Sequence, residues 1–363
     1  MMRILLLSAY DAVSHQYWRK GLVAQFPEYD WTVLTLPGRF FSWRVRGNSL
    51  SWAFSERECL EQPYDLLLAT SMTDLSALKG LVPALAGVPS IVYFHENQFA
   101  YPLSGKEFSS VEPKVLSLYS ALAADFVVFN TRYNKETFFN GADALLKKLP
   151  DRVPPGLIEL LASKTRVLPV PVLDTALTKG ESRSGPLQVI WNHRWEYDKG
   201  PELLHRVMLA LKQQNVQVQF HLVGQQFRYI PPVFEQLKKD CWELIATWGY
   251  VDSRQAYNSL LQNSDVVLST ALHDFQGIAV LEGVAAGCVP VVPDRLAYPE
   301  LFSGEFCYSE QGNEVANLAE RLAALAGLKA QQALPRAPSV GQFCWSEQQG
   351  AYRQLLTLAA GRG

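Results

Sequence analysis

Short apolar runs rich in aliphatic and β-branched residues recur along the first half of the chain: RILLLS (3–8), WTVLTL (31–36), DLLLAT (65–70), SIVYF (90–94) and DFVVFN (125–130). Helical periodicity fills most of the gaps between them. Strands that are apolar on both faces and alternate with helices predict an α/β fold with a parallel sheet covered on both sides. Between about residues 168 and 187, Pro169, Pro171, Gly180, Gly185 and Pro186 interrupt any regular element and mark a linker. The pattern then restarts with LQVIWNH (187–193), VQVQFHLVG (216–224), ATWGYV (246–251), DVVLST (265–270) and CVPVVP (288–293). The expected organisation is a Rossmann-like domain over 1–170, a linker over 171–186, a second Rossmann-like domain over 187–342, and a terminal segment, 343–363, that turns helical after Trp345.

In doubly wound sheets, ligands lie outside the carboxyl ends of the strands. His95, His193 and His273 each fall at or just past the end of an apolar run, and His15 falls in the expected loop after the first strand; His205 and His221 sit inside a helical and a strand pattern. In YFHENQFAYP (93–102), four polar residues, His95, Glu96, Asn97 and Gln98, follow directly on a strand. They are expected to line a ligand site.

Composition narrows the function classes. The chain has 363 residues, 48% of them apolar, and only 19% are charged, against about a quarter in ordinary domains, which suits a compact enzyme without a charged tail. A net charge of −2 argues against retention on nucleic acid or anionic lipid by bulk electrostatics, although a local basic patch stays open. Five scattered cysteines, Cys59, Cys241, Cys288, Cys307 and Cys344, form no C-x-x-C pair; they point to a reducing cytoplasm rather than to a zinc site or disulfide framework. The opening MMRILLLSAYD is too short an apolar run for a signal peptide, and no stretch is long enough to span a bilayer, so a cytoplasmic protein without a membrane partner is expected.

Two segments carry chemistry. In VIWNHRWEYDKGPELLHRVMLAL (189–211) a strand ends near Asn192, a loop presents Arg194 and Lys199, and Gly200-Pro201 opens an amphipathic helix with Leu203, Leu204, Val207, Met208 and Leu211 inward. Two cations beside the unpaired N–H groups of a helix amino terminus suit a diphosphate; the plainer alternative is a solvated loop. In STALHDFQGIAVLEGVAAGCVPVVPDRLAYPELF (269–302), His273 and Asp274 follow a strand, Gly277 permits close backbone approach, and a helix from Ile278 carries Glu282 among apolar neighbours. A carboxylate there needs a partner, either sugar hydroxyls or an internal cation.

Together these segments resemble the donor half of retaining GT-B glycosyltransferases of family four, through the Arg-x4-Lys-Gly loop (Arg194, Lys199) and the carboxylate-x7-Glu element (Asp274 to Glu282, with Gly277). YFHENQFAYP, LPGRFFSWRVRG (36–47), VVFNTRYNKETFF (127–139), LLKKLPDRVP (145–154), HDFQGIAVLEGV and DRLAYPELF are similar to the tRNA-queuosine mannosyltransferases, over nearly the whole chain. The resemblance implies a GT-B fold, two Rossmann-like domains facing a cleft, with the terminal helix crossing back to the first. It implies a retaining, metal-independent hexosyl transfer of mannose from GDP-mannose to the cyclopentenediol of queuosine in a tRNA anticodon, with no further cofactor and no evident protein partner. Arg194 and Lys199 would hold the diphosphate, Asp274 the sugar and Glu282 the donor ribose. Gly277, Ile278, Ser14, His15, His193 and His273 would complete the donor site. His95 would support catalysis or position the sugar, and Glu96, Asn97 and Gln98 would face the substrate. Family members usually carry Glu at position 274, and the branch usually has Gly-Gly where this chain has Ala12-Val13.

An RNA site needs cations and stacking surfaces together. GRFFSWRVRGNSLSW supplies Arg39, Arg44 and Arg46 with Phe40, Phe41, Trp43 and Trp52; the alternative is a surface loop whose aromatics fold into the core. Arg132, Lys135, Lys147, Lys148 and Arg152 could extend a basic rim. No G-x-G-x-x-G follows a strand, no P-loop occurs, no two aspartates stand two apart, and HENQF does not extend to H-E-x-x-H, so dehydrogenase, P-loop and metal-dependent transferase signatures are all missing. Three rivals remain: a same-fold transferase using a lipid or small-sugar acceptor, a nucleotide-sugar epimerase, and a non-catalytic tRNA-binding protein.

Overall fold

The computed structural model describes residues 1–101, 111–149, 151–174 and 184–361. Most of the expected linker (175–183), with Gly180, lies outside the described residues, as do Pro102, Pro150 and residues 362–363. The chain folds as two compact units, Met1–Pro171 with Trp345–Gly363, and Val172–Cys344.

The first unit holds β1 (Arg3–Asp11), β2 (Asp30–Pro37), β3 (Leu66–Thr70), β4 (Ser90–Phe94), β5 (Phe126–Phe129) and β6 (Thr165–Val167). They form one sheet in the order β2-β1-β3-β4-β5-β6, and its pairs are parallel. Leu66–Thr70 and Ser90–Phe94 are buried at every position, which is why their sequences read as unbroken apolar runs rather than alternating ones. The second unit holds β7 (Leu187–Trp191), β8 (Val218–Val223), β9 (Ile245–Gly249), β10 (Val266–Leu268), β11 (Val289–Pro293) and β12 (Cys307–Tyr308), in the order β12-β11-β10-β7-β8-β9, again parallel. The edge strands β6 and β12 have three and two residues. Neither is long enough to show a strand period.

In each sheet the strand order reverses beside its first strand, at β1/β3 and at β7/β10. Chain leaving two neighbouring strands there diverges to opposite sides and leaves room above the strand ends. Ala12–His15 follow β1, Ser71 follows β3 and His95 follows β4; Asn192–Lys199 follow β7 and Ser269–Asp274 follow β10.

Two sequence expectations are corrected. His15 lies in the first turn of the helix Val13–Gln25, where His15, Trp18 and Leu22 make its buried stripe at helical spacing. The segment expected as an aromatic and basic loop is the helix Phe41–Ser55, with Val45, Asn48, Ser49, Trp52 and Ala53 inward. Asn48 locks it in place, donating from Nδ2 to the Met72 carbonyl (3.0 Å) and accepting at Oδ1 from the Asp74 N–H (2.9 Å).

The terminal helix Trp345–Ala360 belongs to the first unit. Tyr352 anchors it, its buried hydroxyl accepting from Trp18 Nε1 (2.9 Å) and donating to the Pro169 carbonyl (2.9 Å). Among the described residues, no helix is long and apolar enough to cross a membrane.

Candidate active site

In the second unit the site grows from two glycines. Gly200 caps the helix Pro201–Gln213 at φ +66°, and a β-carbon there would stand 2.0 Å from the Thr270 carbonyl oxygen, so only glycine fits. The preceding residue, Lys199, is pinned by its carbonyl, which accepts from Thr270 Oγ1 (2.8 Å); that hydroxyl in turn accepts from Trp191 Nε1 (3.0 Å). Gly277 caps the helix Ile278–Ala285 at φ +71°, with Tyr298 Cε1 only 2.8 Å from where a β-carbon would lie.

Between them sit the charges. Lys199 Nζ donates to the His273 carbonyl (2.7 Å) and lies 3.4 Å from both the Asp198 and Asp274 carboxylates. Asp274 accepts from the Gly277 N–H (2.8 Å) and from the Tyr298 hydroxyl (3.3 Å). Burial alone would raise the Asp274 pKa; the Lys199 charge and the Gly277 N–H outweigh it and hold the carboxyl at about 2, firmly ionised. His193 donates from Nε2 to the Leu268 carbonyl (3.2 Å), and burial, reinforced by Lys199, lowers its pKa to about 4, so the ring is neutral at pH 7. Arg194 is the more exposed cation, paired with Glu196 (2.7 Å) and reaching Asp198 at 3.5 Å. His273 is buried, edge-on to Phe275.

Glu282 takes the internal partner that the sequence left open. Its carboxylate accepts from Arg254 (2.8 Å) and from the Tyr257 hydroxyl (3.2 Å), and Tyr257 accepts from Asn192 Nδ2 (2.8 Å) at the end of β7. His193, Lys199, Asp274 and Gly277 are thus brought into one cluster, with Arg194 joined through Asp198; Ile278 opens the helix beside it. Sequence reasoning missed Asp198, Tyr298, Tyr257 and Arg254. Asp198 carried a signal: it stands four residues after Arg194 and directly before Lys199.

In the first unit the focus is His95. It is 6% exposed and enclosed by His15, Trp18 and Tyr93, with ring centroids at 4.3, 4.8 and 4.7 Å. Both ring nitrogens lack a hydrogen-bond partner among the described residues. Burial, with His15 adding to it, lowers the His95 pKa well below the ordinary histidine value. His15 behaves oppositely. Burial opposes its charge, yet the Glu96 carboxylate 3.2 Å from Nε2 and the Tyr10 carbonyl accepting from Nδ1 at 2.5 Å win, and its pKa is raised. Glu96 also accepts from Ser71 Oγ (3.4 Å).

The neighbours divide. Asn97, expected to face the substrate, is buried and structural instead: Nδ2 donates to Asn134 Oδ1 (2.8 Å) and Thr137 Oγ1 (2.9 Å), and Oδ1 accepts from the Phe99 N–H (2.9 Å). Gln98 is half-buried, with Nε2 3.7 Å from the Met72 sulfur, and Ser14 is exposed on the first turn of its helix. Arg46 is engaged by Asp74 (3.6 Å) and Glu112 (3.4 Å), Arg44 donates to the Pro37 carbonyl (3.3 Å), and Arg39 lies over the Phe40 ring. Among the described residues, no group of three His, Cys, Asp or Glu side chains could hold a metal ion.

Residues 3–172 match the family model of the tRNA-queuosine alpha-mannosyltransferase N-terminal domain, and residues 174–333 match glycosyl transferases group 1. A tRNA-queuosine alpha-mannosyltransferase of Drosophila melanogaster is 31% identical over 316 residues, 84% of this chain and 83% of its own. Among solved structures, a sucrose-phosphate synthase from Thermosynechococcus elongatus aligns over 99% of this chain and 100% of its own, with TM-score 0.69 and 14% identity. Anabaena HepE, in complex with UDP and glucose, aligns over 98% of this chain and 99% of its own, with TM-score 0.63 and 17% identity. At such identities these structures show the shared GT-B fold. From the two family matches and the extent of the Drosophila identity, the chain belongs to the tRNA-queuosine alpha-mannosyltransferase family of glycosyltransferases.

Proposed function

We propose that the protein transfers mannose from GDP-mannose to the cyclopentenediol of queuosine in a tRNA anticodon, with retention at the anomeric carbon and without a metal ion. The observation that carries this reading is the Lys199–Asp274 pair fixed at the amino end of the helix Ile278–Ala285. The bond from the anomeric carbon to the diphosphate breaks and negative charge gathers on the leaving oxygen. Lys199, Arg194 and the first N–H groups of the helix, which have no intrahelical acceptor, meet that charge. Each such preorganised contact contributes about 3 kcal/mol of barrier lowering. Because these cations are already held in place, they need not reorganise as the bond breaks.

Asp274 would accept from sugar hydroxyls with the lone pairs not used by Gly277 and Tyr298. Glu282 would accept from the ribose, in exchange with Arg254. His95, neutral, offers one donor and one acceptor nitrogen to the transferred sugar. An acceptor hydroxyl of the cyclopentenediol forms the new bond on the face the diphosphate leaves, its proton passing to a phosphate oxygen. No protein nucleophile takes part.

The test is to incubate the protein, with and without EDTA, with GDP-mannose, GDP-fucose, UDP-glucose and UDP-N-acetylglucosamine and queuosine-containing tRNA, then weigh the digested nucleosides. A hexose gain on queuosine with GDP-mannose alone, insensitive to EDTA and removed by an α-mannosidase, is the expected result. Transfer from another donor, or none, overturns the reading.

A further inference from the structure

The helix Phe41–Ser55 buries one face and leaves large aromatics outside it. Trp52 goes into the core, while Phe40, Phe41 and Trp43 are 71%, 41% and 53% exposed. Three exposed aromatic rings within four residues form a patch, unlike the single exposed apolar residues that any surface carries.

The backbone beneath them departs from ordinary preference. Phe40 stands at φ 56°, ψ 53°, the left-handed region where a β-carbon crowds the chain, and it has no side-chain capping bond in return. Neither packing nor local propensity accounts for a phenylalanine there. A non-glycine residue held in that region is a reason to look for function. Gly47 makes room for the neighbouring ring, since a β-carbon on it would lie 2.1 Å from Trp43 Cε2. The indole therefore lies along the helix.

The cations beside the rings are arginines. Arg39 is exposed, its guanidinium 5.4 Å from the centre of the Phe40 ring, and Arg44 uses one N–H on the Pro37 carbonyl. Arg46 is exposed and shared between Asp74 (3.6 Å) and Glu112 (3.4 Å). A chain of contacts joins the patch to His95. Phe41 is edge-on to Tyr10 at 6.0 Å, the Tyr10 carbonyl accepts from His15, and the His15 ring lies 4.3 Å from that of His95.

We propose that Phe40, Phe41 and Trp43, with Arg39 and Arg44 beside them, form a stacking platform for unpaired bases of an RNA loop, linked to His95 through Tyr10 and His15. This rests on the reading that a tRNA is the acceptor. Aromatic faces accept any base, and guanidinium groups both stack and pair with phosphate, so aromatic rings interleaved with arginine suit single-stranded RNA. An aliphatic surface would suit a protein or a bilayer better. A nucleotide presented for reaction must leave its stack, and such a platform would support the bases flanking it.

The experiment measures binding of a fluorescently labelled anticodon stem-loop RNA, with no nucleotide sugar present, to the wild-type chain and four variants. Trp43→Ala weakens binding about tenfold, whereas Trp43→Tyr stays within about threefold. Phe40→Gly weakens binding about tenfold and raises the melting midpoint, because glycine accepts the left-handed backbone freely. Charge removal with Arg39→Gln lowers the slope of log affinity against log salt by about 0.7. Wild-type affinity in Trp43→Ala overturns the platform. So does a lowered melting midpoint in Phe40→Gly, which would make Phe40 a packing residue, and so does loss of affinity for phosphatidylserine vesicles with RNA affinity intact. If no sugar transfer is found while binding depends on Trp43, the transfer reading fails and the platform stands; transfer with Trp43-independent binding is the reverse.

Discussion

Around Lys199 the charges are matched before any ligand arrives: the ammonium has the His273 carbonyl and two carboxylates, Asp274 has Gly277 and Tyr298, and Glu282 has Arg254. The His95 ring is not satisfied in this way. Its two buried nitrogens have no hydrogen-bond partner among the described residues, and the rings of His15, Trp18 and Tyr93 pack around the imidazole. The first arrangement is costly to assemble but would hold cations ready for a charge that develops during reaction, which is where preorganisation lowers a barrier. The second is a standing penalty, since an unpaired buried polar atom costs about 1–3 kcal/mol, and a sugar hydroxyl would relieve it. Stability and activity should therefore be tied together in the second unit and opposed in the first.

The largest effect that could break this contrast is at Lys199. Lys199→Gln should lower the transfer rate by about 10²–10³ and lower the melting midpoint, since Asp198 and Asp274 are left facing each other without the ammonium. A rate within tenfold of wild type would remove Lys199 from the leaving group. Next comes His95→Leu, for which the transfer rate should fall about tenfold to a hundredfold as one or two hydrogen bonds to the sugar are lost. Its melting midpoint should hold or rise. A clear loss of stability would mean that His95 has a structural partner after all, and the contrast with Lys199 would vanish.

The smallest effect is on pH. The folded-state pKa of His193 is depressed to about 4, so the unfolded chain binds its proton first as pH falls below about 6.5, and the native state loses stability from there down to about pH 4. Between pH 7.5 and 5 the loss is about 2 kcal/mol from this residue. His95, depressed still further by burial, adds to the same slope. His15, whose pKa is raised, acts oppositely: its contribution is complete below about 6.5 and is lost as pH rises through its folded value. Chemical denaturation at several pH values should show a shallower slope for His193→Gln than for wild type; an unchanged slope would place the His193 proton elsewhere.

What the sequence revealed follows from which signals are local. The strands were legible because sheets covered on both faces demand continuous apolar runs, and the Gly200-Pro201 and Gly277 helix starts because backbone geometry there excludes other residues. The helix Phe41–Ser55 was hidden because its exposed aromatics and arginines mask the inward Val45, Asn48 and Trp52 spacing. Arg254 and Tyr257 were missed as partners of Glu282 because that contact joins residues 28 and 25 positions apart, and a carboxylate's need for a partner does not say which one. Asn97 misled for a related reason: a polar residue past a strand end serves the loop as readily as the ligand.

On this reading the cage around Lys199 grips a nucleotide diphosphate. Crystals soaked with GDP test it most directly. Phosphate density is expected within hydrogen-bond reach of Lys199 Nζ and the first N–H groups of the helix Ile278–Ala285, and none in Lys199→Gln crystals. GDP bound away from that helix, or bound alike in both, would contradict it.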